Sequence, residues 1–426
     1  MRICVVGLGK LGLPLAVQFA LKHNTVVGLD INQVTIDNVN LGIEPFPGEV
    51  DLGKNLKSVI DEGRLSATSK PEIAISDADV IIVVVPLVVN KKFEPEFNLI
   101  EAATASIGKH MKRNSLVIYE TTLPVGTTRD KFLPMLELHS GFRGGEDFFL
   151  AFSPERVLTG RVFSDLKRYP KLVGGIDEES AERALQFYES VLDFIERPEL
   201  RRKNGVWNLG STETAELVKL AETTYRDVNI ALANQFASFA KSNGINISDV
   251  IEAANSQDYS HIHKPGIAVG GHCIPVYPHL YLINHPTATV VSIARQYNEE
   301  MPVRVIEQIS KVLGELAGLR CLILGVSYRA GVKETAFSGS LKLLSRLKEM
   351  GVEVLGHDPL YSVEELSELG FIPFSGNESI DFAILQNDWV GYQDYAQTDL
   401  PDCKLIFDGR RILSPDLFEE ITFMSI

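Results

Sequence analysis

The sequence predicts an α/β protein with two Rossmann-like, doubly wound domains joined by a long central helix. Three observations carry that prediction. From Ile3 to Val173, short apolar runs alternate with helical patterns, the βαβ rhythm of a parallel sheet. From Ser211 to about Lys241 there is neither Pro nor Gly, and apolar residues recur at helical spacing. Near Arg320 a second series of strand and helix patterns begins.

In the first series the strand-like runs are Ile3–Val6, Val26–Leu29, Val80–Val85, Leu116–Tyr119, Phe148–Phe152 and Leu172–Val173. Helical patterns include Leu11–Lys22, Asn98–His110 and Glu178–Leu192. The runs are continuously apolar, as expected when helices cover both sheet faces. In the central stretch Ser211-Thr212-Glu213-Thr214 offers a helix N-cap. Leu217, Leu220, Ala221, Tyr225, Val228, Leu232 and Phe236 follow at helical spacing. A helix of about 30 residues is long for a globular domain. It reads either as one large core helix or as a spine between domains that also offers a dimer surface. In the second series, Cys321–Gly325 is a strand entering a turn, and Ser338–Met350 is helical with Gly351 as its C′ residue. Val352–Leu355, Phe382–Leu385 and Leu405–Phe407 are further strands. The expected domains are residues 1–205, 206–305 and 306–426.

Composition narrows the class. Hydrophobic residues make up 45% and charged residues 23%, enough apolar surface to offset chain entropy in folded domains. A net charge of −15 with no basic block disfavours nucleic acid and anionic membrane as partners. The apolar run Val80–Val89 is broken by Pro86 and falls far short of the roughly 20 residues that span a bilayer. Cys4, Cys273, Cys321 and Cys403 lie far apart with no CxxC pair, so neither a metal site nor a disulfide framework is expected. The N-terminal Arg2–Val6 stretch reads as a strand and not a signal peptide, and the expected location is the cytoplasm.

Two segments carry chemistry. Gly7-Leu8-Gly9-Lys10-Leu11-Gly12 is a GxGxxG turn that follows a strand and opens a helix. Gly7 permits the tight turn, Gly9 lets a pyrophosphate approach the backbone, and Gly12 lets helix and strand pack. The helix N-terminus adds N–H groups and a favourable dipole. Asp30 ends the next strand, where a carboxylate holds a ribose 2′-hydroxyl and repels a 2′-phosphate, which favours NAD over NADP. The second segment is Lys264-Pro265-Gly266-Ile267-Ala268-Val269-Gly270-Gly271-His272-Cys273-Ile274-Pro275-Val276. Its Gly and Pro content makes it a loop, and Gly270 and Gly271 let a ligand or a second backbone come close. Cys273 is either a small buried hydrophobe or a nucleophile presented on that loop.

Taken together, these and further motifs resemble the UDP-sugar 6-dehydrogenase family, with the nearest likeness to its UDP-N-acetylmannosamine-oxidising branch. The likeness covers nearly the whole chain. It rests on Gly7–Gly12, Thr121-Thr122-Leu123-Pro124-Val125-Gly126-Thr127, Ser153-Pro154-Glu155-Arg156, Glu216–Leu220, Tyr225–Asn234 and Gly270–Val276. The resemblance implies an NAD domain, a central dimerising helix and a UDP-binding domain. It implies four-electron oxidation of a sugar C6 hydroxyl for surface polysaccharide precursors. Cys273 matches the nucleophile, Lys219 the lysine that stabilises oxyanions, Glu155 the carboxylate that acts on water, and Thr122 a threonine near the reacting carbon and nicotinamide. The cofactor set is Gly7, Gly9, Leu11, Gly12, Asp30, Pro86 and Thr122. The substrate set is Glu155, Arg156, Lys219, Asn234, Gly270 and Arg329. A thiolate fits this chemistry because its adduct with the aldehyde keeps the C–H needed for a second hydride transfer.

Three positions depart from the family pattern: Tyr277 stands where an aspartate is usual, Thr223 where an asparagine is usual, and Ala336 where an arginine is usual. Arg329 or Lys333 is the expected substitute for that last charge. The alternatives to a UDP-N-acetylhexosamine enzyme are a UDP-glucose 6-dehydrogenase and a nucleotide-sugar-binding paralogue with little turnover. A simple two-electron β-hydroxyacid-type dehydrogenase shares the domain order but has no use for Cys273.

Overall fold

The computed structural model describes residues 1–90 and 92–426. The chain divides into two compact units, Met1–Ala221 and Glu222–Ile426. In the first, strands β1 (Arg2–Val6), β2 (Thr25–Leu29), β3 (Leu65–Thr68) and β4 (Val80–Val83) precede a small antiparallel hairpin of β5 (Val88–Val89) and β6 (Pro95–Glu96). Then come β7 (Leu116–Tyr119), β8 (Phe149–Phe152), β9 (Lys171–Gly175) and β10 (Val206–Ser211). The main sheet has the order β10-β9-β8-β7-β4-β1-β2-β3. Its neighbours pair in parallel except β8 and β9, which run antiparallel.

The sequence explains why helices cover both faces. Along β1, Ile3 and Val5 enter one apolar cluster while Cys4 and Val6 enter the other. Val80 and Ile82 of β4 alternate with Ile81 and Val83 in the same way. A period of two with apolar residues on both sides is the signature of a sheet buried on both faces. The strand expected over Val80–Val85 ends at Val83, ahead of Pro86, which has no N–H to give to a ladder.

The second unit repeats the plan with β11 (Arg320–Leu324), β12 (Glu353–His357), β13 (Ile372–Pro373), β14 (Phe382–Leu385), β15 (Leu405–Asp408) and β16 (Thr422–Ser425). The order is β13-β12-β11-β14-β15-β16, all parallel. Cys321 and Ile323 face one core, Leu322 and Leu324 the other. The glycine turn of the first unit has a counterpart here. Gly7 N donates to Leu29 O (2.8 Å) and Gly325 N to His357 O (2.8 Å), each glycine at positive φ (94° and 91°). Leu8 N then donates to Asp30 Oδ2 (2.7 Å), and Val326 N to Asp358 Oδ2 (2.9 Å).

The long helix spans Thr212–Ser242, 31 residues, and the boundary between the units falls inside it. Ser211 caps its start by accepting from Thr214 N (3.2 Å), as the sequence predicts. Lys264–Val276 lies outside every helix and strand. Among the described residues no helix is long and apolar enough to cross a membrane.

The first turns of the long helix are joined to the loop after β7 by Glu216, which is fully buried. Its carboxylate accepts from Gly126 N (2.6 Å), Thr128 N (2.9 Å) and Thr128 Oγ1 (2.7 Å). Removing it leaves buried donors with no acceptor. Glu216→Ala is therefore expected to lose about 2–3 kcal/mol of stability in denaturant unfolding. A midpoint equal to that of the unsubstituted protein would refute the assignment.

Candidate functional site

The carboxyl ends of β1, β4 and β7 are neighbours in the first sheet, and the loops that follow them carry the expected cofactor residues. That edge is where doubly wound sheets bind nucleotides. A Cβ on Gly12 would lie 1.9 Å from Gly7 O, so only glycine lets the Gly12–Leu21 helix start this close to the strand. Gly9 is exposed, and a Cβ there would meet nothing within 4 Å, leaving its backbone open to an approaching group. Leu11 stands at the N-cap with no side-chain cap bond. Asp30 braces the turn through Leu8 N and also accepts from Asn32 N (2.8 Å). Each carboxylate oxygen keeps a lone pair for a ribose hydroxyl. Pro86 is exposed in the loop after β4, where Thr121 Oγ1 donates to Val85 O (2.6 Å); Thr122 beside it is buried. The turn, the uncapped helix start and the carboxylate fit NAD.

Beside this edge lies a buried ionic cluster. Glu120 follows β7, Glu155 lies beyond the end of β8, and Lys171 begins β9. Lys171 Nζ donates to Glu120 Oε2 (2.7 Å) and Glu155 Oε2 (2.8 Å), and Tyr188 Oη donates to Glu120 Oε1 (2.5 Å). All four side chains are buried. Burial pushes the Glu120 carboxyl up to about 7, with Lys171 pulling against it and the Glu155 charge adding to it. Burial also raises Glu155, but the Lys171 charge and hydrogen bond outweigh it and hold the carboxyl below the usual range. Burial lowers the Lys171 ammonium, and its two carboxylate partners more than restore it. Glu155 Oε1 accepts from Arg156 N (2.7 Å), its backbone O accepts from Lys219 Nζ, and Arg156 Nη1 reaches Pro170 O (3.3 Å). Sequence reasoning found Glu155 and Lys219 and missed Glu120, Lys171 and Tyr188. The signal available was a charged residue set flush against each apolar run: Glu120 after Leu116–Tyr119 and Lys171 before Leu172-Val173.

In the second unit Cys273 is exposed, whereas Cys4, Cys321 and Cys403 are buried. The glycines before it face protein. A Cβ on Gly270 would lie 2.6 Å from Tyr328 Cβ, and Gly271, at φ +87°, backs onto the Tyr328 ring. Gly271 N donates to Ala336 O (2.8 Å), and His272 Nε2 lies 3.3 Å from Glu334. The loop is thus seated on the segment that follows β11. Arg329 lies over the Tyr328 ring (5.6 Å), while Lys333 is paired with Glu365 (2.5 Å) and so committed elsewhere. Tyr277 opens the Tyr277–Asn284 helix, its N donating to Cys273 O (2.9 Å), and Thr223 is buried. Asn234 is 2% exposed with both amide atoms bonded inside the unit.

The glycine turn with its carboxylate, at the carboxyl edge of a largely parallel sheet, defines a dinucleotide-binding protein of the doubly wound class. Residues 1–192 match the NAD binding domain of the UDP-glucose/GDP-mannose dehydrogenase family, 213–301 its central domain and 322–415 its UDP binding domain. A UDP-N-acetyl-D-mannosamine dehydrogenase of Methanocaldococcus jannaschii is 33% identical over 436 residues, covering 99% of this chain and 95% of that protein. One from Pyrococcus horikoshii is 37% identical over 365 residues, covering 84% of each. The structure of a UDP-D-ManNAc dehydrogenase from Pyrococcus horikoshii superimposes with a TM-score of 0.87 at 32% identity, covering 100% of this chain and 99% of that one. The chain belongs to the UDP-glucose/GDP-mannose dehydrogenase family and is an NAD-dependent UDP-sugar dehydrogenase.

Two outcomes follow from this geometry. Gly12→Ala is expected to weaken NAD binding by about tenfold or more in calorimetric titration, because the added methyl must push the helix off Gly7; unchanged affinity would refute the close-approach argument. The second concerns pH. Folded Glu120 keeps its proton to about pH 7, whereas an unfolded glutamate releases it near about 4.3. The folded chain binds more protons across that window, so this group's stabilisation falls as pH rises through it. The charged and titratable groups facing Glu120 are Lys171, Glu155 and Tyr188. Glu120→Gln cannot ionise, so its melting temperature relative to the unsubstituted protein is expected to climb between about pH 5 and pH 8. A difference that stays flat or falls would contradict the raised carboxyl.

Proposed function

We propose that this dehydrogenase oxidises the C6 hydroxyl of a UDP-N-acetylhexosamine, UDP-N-acetylmannosamine above all, to the uronic acid, with Cys273 as covalent nucleophile. The observation that carries the reading is the exposed Cys273 thiol, presented on a loop seated against Tyr328 and Ala336 while the other cysteines are buried. The substrate choice leans on the relatives, which are UDP-N-acetyl-D-mannosamine dehydrogenases. The proposal takes residues 1–205 as the NAD domain, 206–305 as the central domain and 306–426 as the UDP-sugar domain. It places the enzyme in the cytoplasm as a homodimer or larger homo-oligomer that makes a surface polysaccharide precursor.

The chemistry NAD supplies when bound is acceptance of one hydride in each of two oxidations. Lys219, whose ammonium already meets the Glu155 carbonyl, stabilises the alkoxide as the C6 hydroxyl becomes an aldehyde. The Cys273 thiolate adds to that aldehyde, forming a C–S bond and a thiohemiacetal that still carries one C–H. Loss of the second hydride gives a thioester. Water attacks it, the C–S bond breaks, and carboxylate and thiolate leave. The balance is one alcohol, one water and two NAD in, and one carboxylate, two NADH and three protons out. Glu155, kept ionised by Lys171, orients the water as a hydrogen-bond acceptor. Thr122 stands by the reacting carbon, and Arg156, Gly270 and Arg329 contribute to substrate binding.

Two NADH are expected per UDP-sugar consumed, with the product mass of a uronic acid; a ratio of one points to a two-electron enzyme. Cys273→Ala is expected to lose at least about a thousandfold in turnover while UDP-sugar affinity stays within about threefold, because the thiol acts in chemistry and not in binding. Turnover retained in that variant rules out the covalent route.

A further inference from the structure

The Tyr225–Asn234 stretch of the long helix is tied to the chain that leads into the cysteine loop by the side-chain amides of Asn229 and Asn234, and an unbroken line of hydrogen bonds runs from Gly266 through Asn234 to Asp227. Asn229 Nδ2 donates to His261 O (2.7 Å), and its Oδ1 accepts from His263 N (2.9 Å). Asn234 Oδ1 accepts from Gly266 N (2.9 Å), and its Nδ2 donates to Asn298 Oδ1 (3.1 Å). Asn298 Nδ2 in turn donates to Asp227 O (2.8 Å) and Oδ1 (2.9 Å), and Asp227 is ion-paired with Arg295. The line begins at a backbone N–H, which only donates, and ends at a carboxylate, which only accepts. Both intervening amides therefore have one orientation that satisfies them. Asn234 is 2% exposed, Asn298 1% and Asp227 0%, so each lost bond would strand a buried polar group.

We propose that Asn234 is a positioning residue for Cys273. It fixes Gly266, near the start of the loop, to the long helix, and Asn229 fixes the two residues His261 and His263 ahead of it. Asp227, Arg295 and Asn298 hold the Asn234 amide in the one orientation that accepts from Gly266. The far side of the loop is secured separately, by Gly271 N on Ala336 O and Tyr277 N on Cys273 O. With its amide spent in this way, Asn234 acts on the sugar through the loop and not by contact. The inference rests on Cys273 being the nucleophile, and its test has readouts that do not.

The test is Asn234→Ala, read by amide hydrogen exchange, by iodoacetamide alkylation of Cys273 and by steady-state kinetics. Exchange at Gly266 and Ile267 is expected to quicken by about tenfold or more, since the Gly266 N–H loses its acceptor. Alkylation of Cys273 is expected to change rate, and kcat to fall by about tenfold or more with KM for the UDP-sugar within about twofold, as misplacement of a reacting group predicts. A raised KM with kcat, exchange and alkylation unchanged would overturn the proposal and make Asn234 a sugar contact. Should Asn234→Ala not fold, Asn298→Ala carries the same test, because it removes the brace that orients the Asn234 amide; unaltered exchange at Gly266 there overturns the proposal equally. Failure of the nucleophile reading shows elsewhere, as turnover retained in Cys273→Ala, and leaves the exchange result standing.

Discussion

A fully buried ammonium needs its charge met inside the protein, and in the first unit that need organises one edge of the sheet. Lys171 meets it with the Glu155 carboxylate and the Glu120 carboxyl group, supplied by the ends of adjacent strands. Removing one member of such a set strands a charge at a cost of about 3–5 kcal/mol. Glu155 is thereby held in one place and one charge state, and its carbonyl is left to receive Lys219. The cluster is assembled by the reversal of β9. Because β9 runs against β8, with Phe152 opposite Gly174, its first residue lies past the end of β8, in line with Glu155, and not at the far end of the sheet. A wholly parallel sheet would put Lys171 about 15 Å away, at about 3.3 Å per residue along the strand.

The same reversal marks the limit of what the sequence discloses. A reading that makes every strand parallel sends Lys171 to the wrong edge, and nothing in Lys171-Leu172-Val173 alone reveals direction. The interior strands were legible because helices cover both faces and every position is apolar, as in Val80–Val83 and Leu322–Leu324. The unforeseen strands of the two main sheets, β3, β10, β13 and β16, are their four edge strands. Val206–Ser211 and Thr422–Ser425 are half-exposed along most of their length and carry polar residues, so they lack the continuous apolar signature. The glycine turn was legible in full, since each glycine answers a local demand: positive φ at Gly7, open backbone at Gly9, contact at Gly12.

The cysteine loop shows the complementary case. Its irregularity follows from Gly and Pro at those positions, whereas the exposure of its thiol, which the sequence left open, is decided by the structure. Its glycines open space for a neighbour, and the neighbour is Tyr328, more than fifty residues on, which no local pattern announces. The loop has no ladder of its own, so its shape is imposed by polar ties to a helix and by aromatic contact with the turn after β11. Order borrowed from rigid elements lets a reactive group sit on irregular backbone without wandering. It also explains why Asp227, Asn229 and Asn234 are polar residues on a helix whose neighbours in sequence are largely apolar.

The paired turns at Gly7 and Gly325 share their first two hydrogen bonds and then diverge. Two places after Gly7 stands exposed Gly9; two places after Gly325 stands buried Ser327, and where the first turn has Gly12 the second has Ala330. The aspartate brace survives in both, but only one copy keeps naked main chain facing outward. One architectural idea, used twice, is thereby made non-interchangeable: the first bend offers open backbone at Gly9, and at the second that place is taken by the buried side chain of Ser327.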